Sequence, residues 1–331
     1  MRTILLAVGG NSLIRAGEKG TIAEQMANAQ RTAAEIARLV RDGYRIVLTH
    51  GNGPQVGAAL LRSERGASQV PGLPLDVCDA STQGEIGYLL QQSLDTELRR
   101  AGLKVPVVTV LTQVVVAPDD PAMQRPTKPI GPFYSQAEAE ERRSRFGWET
   151  VEDAARGWRR VVPSPEPLEI LELDVIRYLL DQGVLVIACG GGGIPVVWKD
   201  GRLRGVEAVI DKDRASALLA SCLDVDLFLI STDTDYVYLN YKKPTQEPIL
   251  LASPAALREY ADAGHFPPGN MGPKVESVLR FVTCEKREAI ITSAENLCHA
   301  VAGFTGTRVL LEQSPLALAM PGQIEVPVES G

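Results

Sequence analysis

The residues Ile4-Leu5-Leu6-Ala7-Val8-Gly9-Gly10-Asn11-Ser12 form an apolar run that ends in two adjacent glycines. The run is too short to span a membrane, so it predicts a buried strand that stops at a backbone turn. Adjacent glycines permit positive φ angles and remove the side chains that would keep a ligand away from the backbone. In open α/β sheets, ligands bind at the carboxyl ends of the strands, where helix N-termini offer N–H groups to anions. The pattern therefore predicts an anion site at Gly9, Gly10 and Asn11.

Two later apolar runs end in the same way. Residues 46–49 lead into His50-Gly51-Asn52-Gly53, and residues 184–189 lead into four glycines at 190–193. Three strands that each end in glycines predict one binding site of the size of a phosphate, since parallel strands end at the same edge of a sheet. The alternative is three ordinary tight turns, because short motifs produce false positives. The candidate substrate-binding residues in these two turns are Gly51, Asn52, Gly53, Gly191 and Gly192.

Helix and strand signals alternate along the chain. Thr21 and Glu24 form a capping-box pattern before a helix that ends at Gly43, and a strand follows at 45–49. Such a β-α-β unit implies parallel strands joined by a right-handed crossover. Further predicted elements are strands at 105–111, 227–230, 290–292 and 309–311 and a helix at 168–182. The sequence thus predicts an α/β fold. A dinucleotide-binding dehydrogenase is disfavoured, because the glycines at 51–57 are spaced G-x-G-x-x-x-G, one residue longer than the fingerprint.

The composition is that of an ordinary soluble protein. Of the 331 residues, 45% are hydrophobic and 23% are charged, and 34 basic against 41 acidic residues give a net charge of −7. This charge argues against nucleic acid or an anionic membrane as a partner. No apolar run approaches the roughly 20 residues that span a bilayer, and the chain enters its first predicted strand without a signal sequence. We therefore expect a cytoplasmic protein. With three histidines and five cysteines that show no CxxC spacing, we expect no protein metal site.

A change in composition marks one segment. Between Pro118 and Pro132 there are five prolines, and charged and arginine-rich stretches follow as far as Pro167. A polar, proline-bounded segment inside an α/β pattern predicts an inserted protruding lobe or lid at residues 118–165, called the lobe below. It lies within a single domain at 1–312, and residues 313–331 are predicted to be a C-terminal tail. Lys128 stands between two prolines of the lobe, and its alternative interpretation is a solvated surface lysine.

Three further stretches place charges beside predicted strands or helices. The run 208–210 predicts a buried strand that ends at Asp211-Lys212-Asp213, and the strand 227–230 ends in a polar and aromatic stretch at 231–238. Asn270-Met271-Gly272-Pro273-Lys274 opens a helix, and a lysine is unfavourable at a helix N-terminus unless an anion lies there too. These patterns favour a nucleotide pocket, although a surface ion pair and a non-functional acidic turn are the alternatives. The candidate nucleotide-binding residues are Thr232, Asp233, Asp235, Tyr238, Met271 and Lys274.

Several long motifs occur in one order along the chain. They are 7–11 (AVGGN), 50–57 (HGNGPQVG), 82–84 (TQG), 110–114 (VLTQV), 126–133 (PTKPIGPF), 156–159 (RGWR), 189–197 (CGGGGIPVV) and 206–213 (VEAVIDKD). In these motifs the sequence resembles the carbamate kinases, a group within the amino acid kinase family, from residue 3 to about 311.

The resemblance implies a three-layer α/β/α sandwich with a mostly parallel central sheet and a small protruding subdomain, usually as a homodimer. It also implies reversible phosphoryl transfer between ATP and carbamate, giving ADP and carbamoyl phosphate, often run towards ATP during arginine or purine-derivative breakdown. Most of the wider family has a lysine where this chain has Ala7. Carbamate kinases lack it too, and the resemblance assigns the phosphate charge to Lys128, Lys212 and Lys274, oriented by Asp211. Mg²⁺ is expected to be bound through the nucleotide phosphates.

Two other functions remain open at this point. Another small-acid kinase of the same fold would leave Lys128 and the lobe without a role. A non-catalytic sensor of carbamate or nucleotide would keep the glycine turns and show no turnover, and the intact set of lysines counts against it.

Overall fold

The computed structural model describes residues 1–10, 13–15, 17–152, 157–267, 269–285 and 287–311. The predicted tail at 313–331 and the candidate residue Asn11 therefore lie outside the described residues. The strands are β1 (Thr3–Val8), β2 (Arg45–His50), β3 (Val107–Thr109), β4 (Gln113–Val116), β5 (Lys128–Tyr134), β6 (Glu149–Glu152), β7 (Trp158–Val162), β8 (Pro167–Ile170), β9 (Leu185–Ile187), β10 (Ile194–Lys199), β11 (Arg202–Gly205), β12 (Leu227–Thr232), β13 (Val237–Leu239), β14 (Glu247–Ile249), β15 (Leu251–Ala252), β16 (Glu288–Ser293) and β17 (Thr307–Val309). The helices are α1 (Ile22–Arg41), α2 (Gly53–Gly66), α3 (Leu75–Arg100), α4 (Gln136–Phe146), α5 (Leu173–Asp181), α6 (Lys212–Cys222), α7 (Pro254–Asp262), α8 (Met271–Glu285) and α9 (Leu297–Val301).

The central sheet has the strand order β15-β17-β16-β12-β1-β2-β9-β3. Its pairs are parallel except β16 with β17. The strands β12, β1, β2 and β9 are neighbours, so their carboxyl ends meet at one edge. The prediction of an α/β fold with a mostly parallel sheet is confirmed.

Both faces of the sheet are covered, which makes three layers. In β1, Ile4, Leu6 and Val8 pack with residues of α1, α3 and α9, whereas Leu5 and Ala7 pack with residues of α5, α6 and α8. All five are fully buried, as expected for a central parallel strand that is covered on both sides. The predicted capping box of Thr21 and Glu24 is present at the start of α1.

The predicted helix at 168–182 is too long. Residues 167–170 form β8, which pairs antiparallel with β4 in a second sheet of order β11-β10-β4-β8, and the helix begins at Leu173. The predicted strand at 208–210 is also wrong. These residues are buried, but the Val209 amide bonds the Pro163 carbonyl instead of a strand ladder. In both cases tertiary pairing overrides the local apolar pattern.

Residues of the lobe form a separate three-stranded antiparallel sheet of order β5-β7-β6, with α4 in contact with it. This sheet contacts the domain at α2. A Cβ added to Gly57 of α2 would lie 2.2 Å from the Gly131 Cα of β5, so the two backbones touch. Arg142 of α4 and Glu64 of α2 form an ion pair of 3.3 Å beside this contact. Among the described residues, no helix is long and apolar enough to cross a membrane.

Candidate active site

The glycine turns after β1 and β2 lie against each other. A Cβ added to Gly51 would lie 3.0 Å from the Gly10 nitrogen and 3.6 Å from Lys212 Cδ. Gly9 and Gly10 are half-buried after β1, and Gly53 is the exposed first residue of α2. The structure therefore brings the first two predicted turns together with the predicted lysine at 212.

The glycines that follow β9 pack against both of these regions. Gly191 has a φ of 69° and Gly192 a φ of 103°, a region that side-chain-bearing residues rarely adopt. A Cβ on Gly191 would lie 2.2 Å from Asn52 Nδ2, and one on Gly192 would lie 2.4 Å from the Ile210 carbonyl oxygen. The third predicted turn thus closes on Asn52 and on the chain that leads into Asp211.

One face of α3 holds these turns in place. Asn52 Nδ2 donates to Asp79 Oδ1 at 3.0 Å and to Thr82 Oγ1 at 2.9 Å. Gln83 Nε2 donates to the Gly190 carbonyl at 3.0 Å and to the Thr112 carbonyl at 3.1 Å. These bonds satisfy polar groups at the carboxyl edge of the sheet and fix the side chain of Asn52.

Asp213 lies between two of the predicted lysines. Its Oδ1 is 3.1 Å from Lys212 Nζ and its Oδ2 is 2.9 Å from Lys274 Nζ. The Asp213 side chain is 4% exposed and both lysine side chains are 11% exposed, so the three charged groups are largely buried. Lys212 is the first residue of α6 and Lys274 lies in the first turn of α8, which places both ammonium groups at helix N-termini.

The pKa values of these groups follow from burial and from this pairing. Burial lowers the pKa of Lys212, and Lys274 adds repulsion. Burial also opposes the charge of Lys274, but Asp213 and the more distant Asp211 and Asp233 outweigh it and raise the pKa of Lys274. For Asp213, the two lysines outweigh the burial and lower its pKa. Of these two lysines, Lys212 is therefore the one whose charge the protein itself stabilises less.

Lys128 reaches this site from the lobe. Its Nζ lies 2.5 Å from Asp211 Oδ2, while Asp211 Oδ1 accepts the Asp213 amide at 2.9 Å and so caps α6. The contacts of Asp211 are thus with Lys128 and the helix N-terminus, and the carboxylate in contact with Lys212 and Lys274 is that of Asp213. The charge of Asp211 still acts on both of these lysines, and its predicted role in orienting all three stays a prediction.

The predicted nucleotide residues lie at the next strand end. Thr232 is the last residue of β12, Asp233 and Asp235 are exposed in the turn after it, and Tyr238 lies in the hairpin of β13 and β14. Asp235 accepts a hydrogen bond from Asn296 Nδ2 at 2.8 Å, and Met271 begins α8. The charge of Asp233 acts on Lys274, so this turn adjoins the lysine pair.

A cavity of about 900 Å³ opens between the lobe and α6, α7 and α8. Lys128 and Asp211 line it, together with the cationic residues Arg159, Arg214 and Arg258. This volume is in the range of ligand pockets for small molecules. Within the described ranges, no group of three or more His, Cys, Asp or Glu residues could hold a metal ion. The cations and amides present suit phosphate oxygens, through which an accompanying Mg²⁺ would be held.

His50 is buried beneath the site. It is 1% exposed, and its Nδ1 lies 3.2 Å from the Gly51 carbonyl oxygen. Burial lowers its pKa to about 4, with a smaller effect of Lys212, so it is neutral at pH 7. A neutral imidazole adds no positive charge to the lysine cluster.

Sequence reasoning missed Asp213 and Asp79. Asp213 belongs to the quoted run of three charges, but the run alone does not show which carboxylate faces the lysines. Asp79, Thr82 and Gln83 follow helical spacing on one face of α3, a signal that could have marked a polar face towards the site.

Comparison with known proteins agrees with this geometry. Residues 2–293 match the amino acid kinase family. A carbamate kinase of Thermococcus kodakarensis is 47% identical over 315 residues, covering 94% of this chain and 100% of that protein. Carbamate kinase 1 of Enterococcus faecium is 48% identical over 298 residues, covering 89% and 94%. The structure of carbamate kinase from Giardia lamblia bound to AMP-PNP is similar with a TM-score of 0.88 at 42% identity, covering 94% of this chain and 98% of that one. The chain belongs to the amino acid kinase family and, within it, to the carbamate kinases.

Proposed function

We propose that the protein transfers a phosphoryl group reversibly between ATP and carbamate, giving ADP and carbamoyl phosphate. The observation that carries the proposal is the buried cluster of Lys212, Asp213 and Lys274 beside the glycine turns of β1, β2 and β9. The names of the similar proteins support carbamate as the acceptor. A role in making ATP during breakdown of arginine or purine derivatives rests on the family alone.

The proposed mechanism is positioning and charge neutralisation. Carbamate already carries an anionic oxygen, so the site needs no general base, and His50 is neutral and buried. Phosphoryl transfer places charge on the oxygens of the group in flight, and cations fixed in a low-dielectric site stabilise that charge. Lys212, whose charge the protein stabilises less than that of Lys274, is assigned to the transferred group. Lys274 is assigned to the nucleotide phosphates, and the nucleotide also contacts Thr232, Asp233, Asp235, Tyr238 and Met271.

The carbamate side is assigned to the glycine turns and the lobe. Gly9, Gly10, Gly51, Gly53, Gly191 and Gly192 offer backbone to an anion, together with Asn11 and Asn52, and Lys128 closes over it from β5. Mg²⁺, held by the nucleotide phosphates, would supply further neutralisation of their oxygens. Asp211 keeps Lys128 in place before the substrate enters.

The domain organisation and oligomeric state are part of the same proposal. Residues 1–312 are assigned to one domain into which the lobe at 118–165 is inserted. A homodimer is supported by a shallow hollow that contains the exposed side chains of Tyr88 on α3 and Leu111. Light scattering during size-exclusion chromatography tests the dimer, and a monomeric mass at micromolar concentration would contradict it.

The function is tested with pure protein, ADP, carbamoyl phosphate and Mg²⁺, and we expect ATP formation well above the spontaneous background. Replacing Lys212 with Met keeps the apolar stem and removes the ammonium, so kcat should fall at least about 10³-fold. The matched control is Lys104→Met. Lys104 is exposed and precedes β3, so it lies at the amino ends of the strands, away from the site at their carboxyl ends. It should keep parental kinetics.

No ATP from the folded parent would reject carbamate kinase activity. A panel of other small carboxylic acids with ATP then separates another kinase of this fold from a protein that binds without turnover. A kcat of Lys212→Met within about tenfold of the parent would remove Lys212 from the catalytic residues.

A further inference from the structure

Asp79 is a buried acid that the proposed mechanism does not use. It lies on α3, it is 2% exposed, and its Oδ2 has no hydrogen-bond partner among the described residues. Burial raises its pKa well above the ordinary value, and the charges of Asp76 and Glu207 act in the same direction. A buried carboxyl group without compensation for its second oxygen is costly, so its place beside the site calls for a reason.

The contacts of Asp79 fix one orientation of the Asn52 amide. Thr82 Oγ1 donates its single hydrogen to the main-chain carbonyl oxygen of Asp79 at 2.8 Å. Towards Asn52 the Thr82 hydroxyl can therefore only accept a hydrogen bond. With the carboxyl group ionised, or with its proton on Oδ2, Asp79 Oδ1 also accepts. Both neighbours therefore require the NH₂ end of Asn52, at 3.0 and 2.9 Å, and a flipped amide would place oxygen against oxygen.

The same contacts leave one polar atom of Asn52 for a ligand. Both hydrogens of its amide are committed to α3, so the remaining group is Oδ1, which can only accept a hydrogen bond. The side chain lies against Gly191, where any larger residue would collide with it, at the junction of the turns after β2 and β9. This is the region assigned above to the carbamate.

We propose that Asp79 and Thr82 make Asn52 a selectivity group, whose Oδ1 accepts a hydrogen bond from the amino group of the carbamoyl substrate. The inference rests on the proposed function and adds a reason for choosing a substrate with an amino group. An acyl phosphate with a methyl group in that place offers no donor and leaves the Asn52 oxygen unpaired. Asp79 acts through Asn52 and is a positioning residue.

The test compares carbamoyl phosphate with acetyl phosphate as phosphoryl donors to ADP, through the ratio of their kcat/KM values. Asp79→Leu removes the acceptor at similar volume and frees the amide to flip, so the ratio should fall at least about tenfold, while the KM for ADP stays near the parental value. Asp79→Asn can still present an acceptor oxygen and should restore the ratio to within about threefold of the parent.

Thr82→Val provides a second test, because valine has a shape similar to that of threonine but no hydroxyl group. It should also lower the ratio, so the inference stays testable if Asp79→Leu does not fold. An unchanged ratio in the folded Asp79→Leu and Thr82→Val proteins, with both donors used equally less well, would show a purely structural role and overturn the inference. A parent that makes ATP from neither donor would overturn the proposed function, and the selectivity with it. The two failures are thus distinguishable, because only the second is seen in the parent.

Discussion

Asp213→Asn is the substitution that most directly probes the buried lysine pair. The change keeps the volume and one oxygen and removes the negative charge that lies 3.1 Å from Lys212 Nζ and 2.9 Å from Lys274 Nζ. Two buried ammonium groups then face each other without a counter-ion. We expect a large loss of stability at pH 7, in addition to loss of activity.

The geometry sets the size of the effect. At an effective dielectric constant of about 20, each contact of about 3 Å contributes roughly 5 kcal/mol of attraction before desolvation. Removing the charge of Asp213 also removes the cost of burying it. Removing one partner of a buried ion pair typically costs about 3–5 kcal/mol. We expect the free energy of unfolding to fall by about 3 kcal/mol, the lower end of this range, because Lys212 can release its proton.

The pH dependence has a definite sign. Asp213 raises the pKa of Lys212, so its removal lowers that pKa further below the unfolded value of 10.5. Between the pKa of Lys212 in the folded variant and that in the unfolded chain, the unfolded chain binds more protons than the folded protein, so stability rises with pH. The deficit of the variant relative to the parent should therefore shrink between pH 7 and about pH 10.

Urea unfolding at several pH values measures both quantities. The matched control is Asp181→Asn, which breaks an exposed pair with Arg45 at 3.7 Å and should cost less than about 1 kcal/mol. If Asp213→Asn costs no more than this control, or if its deficit does not depend on pH, the buried lysine pair is not held by Asp213.

Three further predictions concern the lobe and the floor of the site. Lys128→Ala should raise the KM for carbamoyl phosphate and leave ADP affinity unchanged by calorimetry; a large loss of ADP affinity would place Lys128 on the nucleotide. Gly57→Ala places a Cβ 2.2 Å from Gly131 Cα, so β5 must shift and kcat/KM should fall about 10²-fold, whereas Gly66→Ala, on the same helix with its nearest contact at 3.6 Å, should not change it. Between pH 6.5, the ordinary pKa of histidine, and about pH 4, the pKa of His50 in the folded protein, His50 is protonated in the unfolded chain and neutral in the folded one. This difference in pKa corresponds to about 3 kcal/mol of stability lost from pH 7 to pH 4. His50→Gln should flatten that loss in acid unfolding curves, and an unchanged slope would contradict the assignment.

The parts of the site that were predictable follow from topology. Gly9, Gly10 and Gly51 could be placed at one edge, because parallel strands joined by crossovers all point the same way and end together. The glycines mark these ends in the sequence, and a Cβ on Gly51 would come as close as 3.0 Å to the Gly10 nitrogen. Local pattern and global fold agree at these positions.

The unpredicted parts depend on side-chain direction and on distant pairing. Asp211 and Asp213 differ by two residues, but the first is the cap of α6 and the second lies inside its first turn, so they face different lysines. The exact start of a helix is the least certain feature of a sequence pattern. The bond between Asp79 and Asn52 joins residues 27 positions apart, and no local spacing reports it.

The ion pairs of the site also bear on how readily substrates and products are exchanged. Lys128, Lys212 and Lys274 are neutralised in part by Asp211 and Asp213, so these five side chains together carry a single excess positive charge instead of three. An arriving phosphate must compete with these internal carboxylates for each ammonium group, and as a departing phosphate leaves, the carboxylates reclaim their partners. Internal counter-ions thereby weaken the retention of polyanions on either side of the reaction. For the reaction proposed above, this arrangement favours the release of products and so suits transfer in both directions near equilibrium.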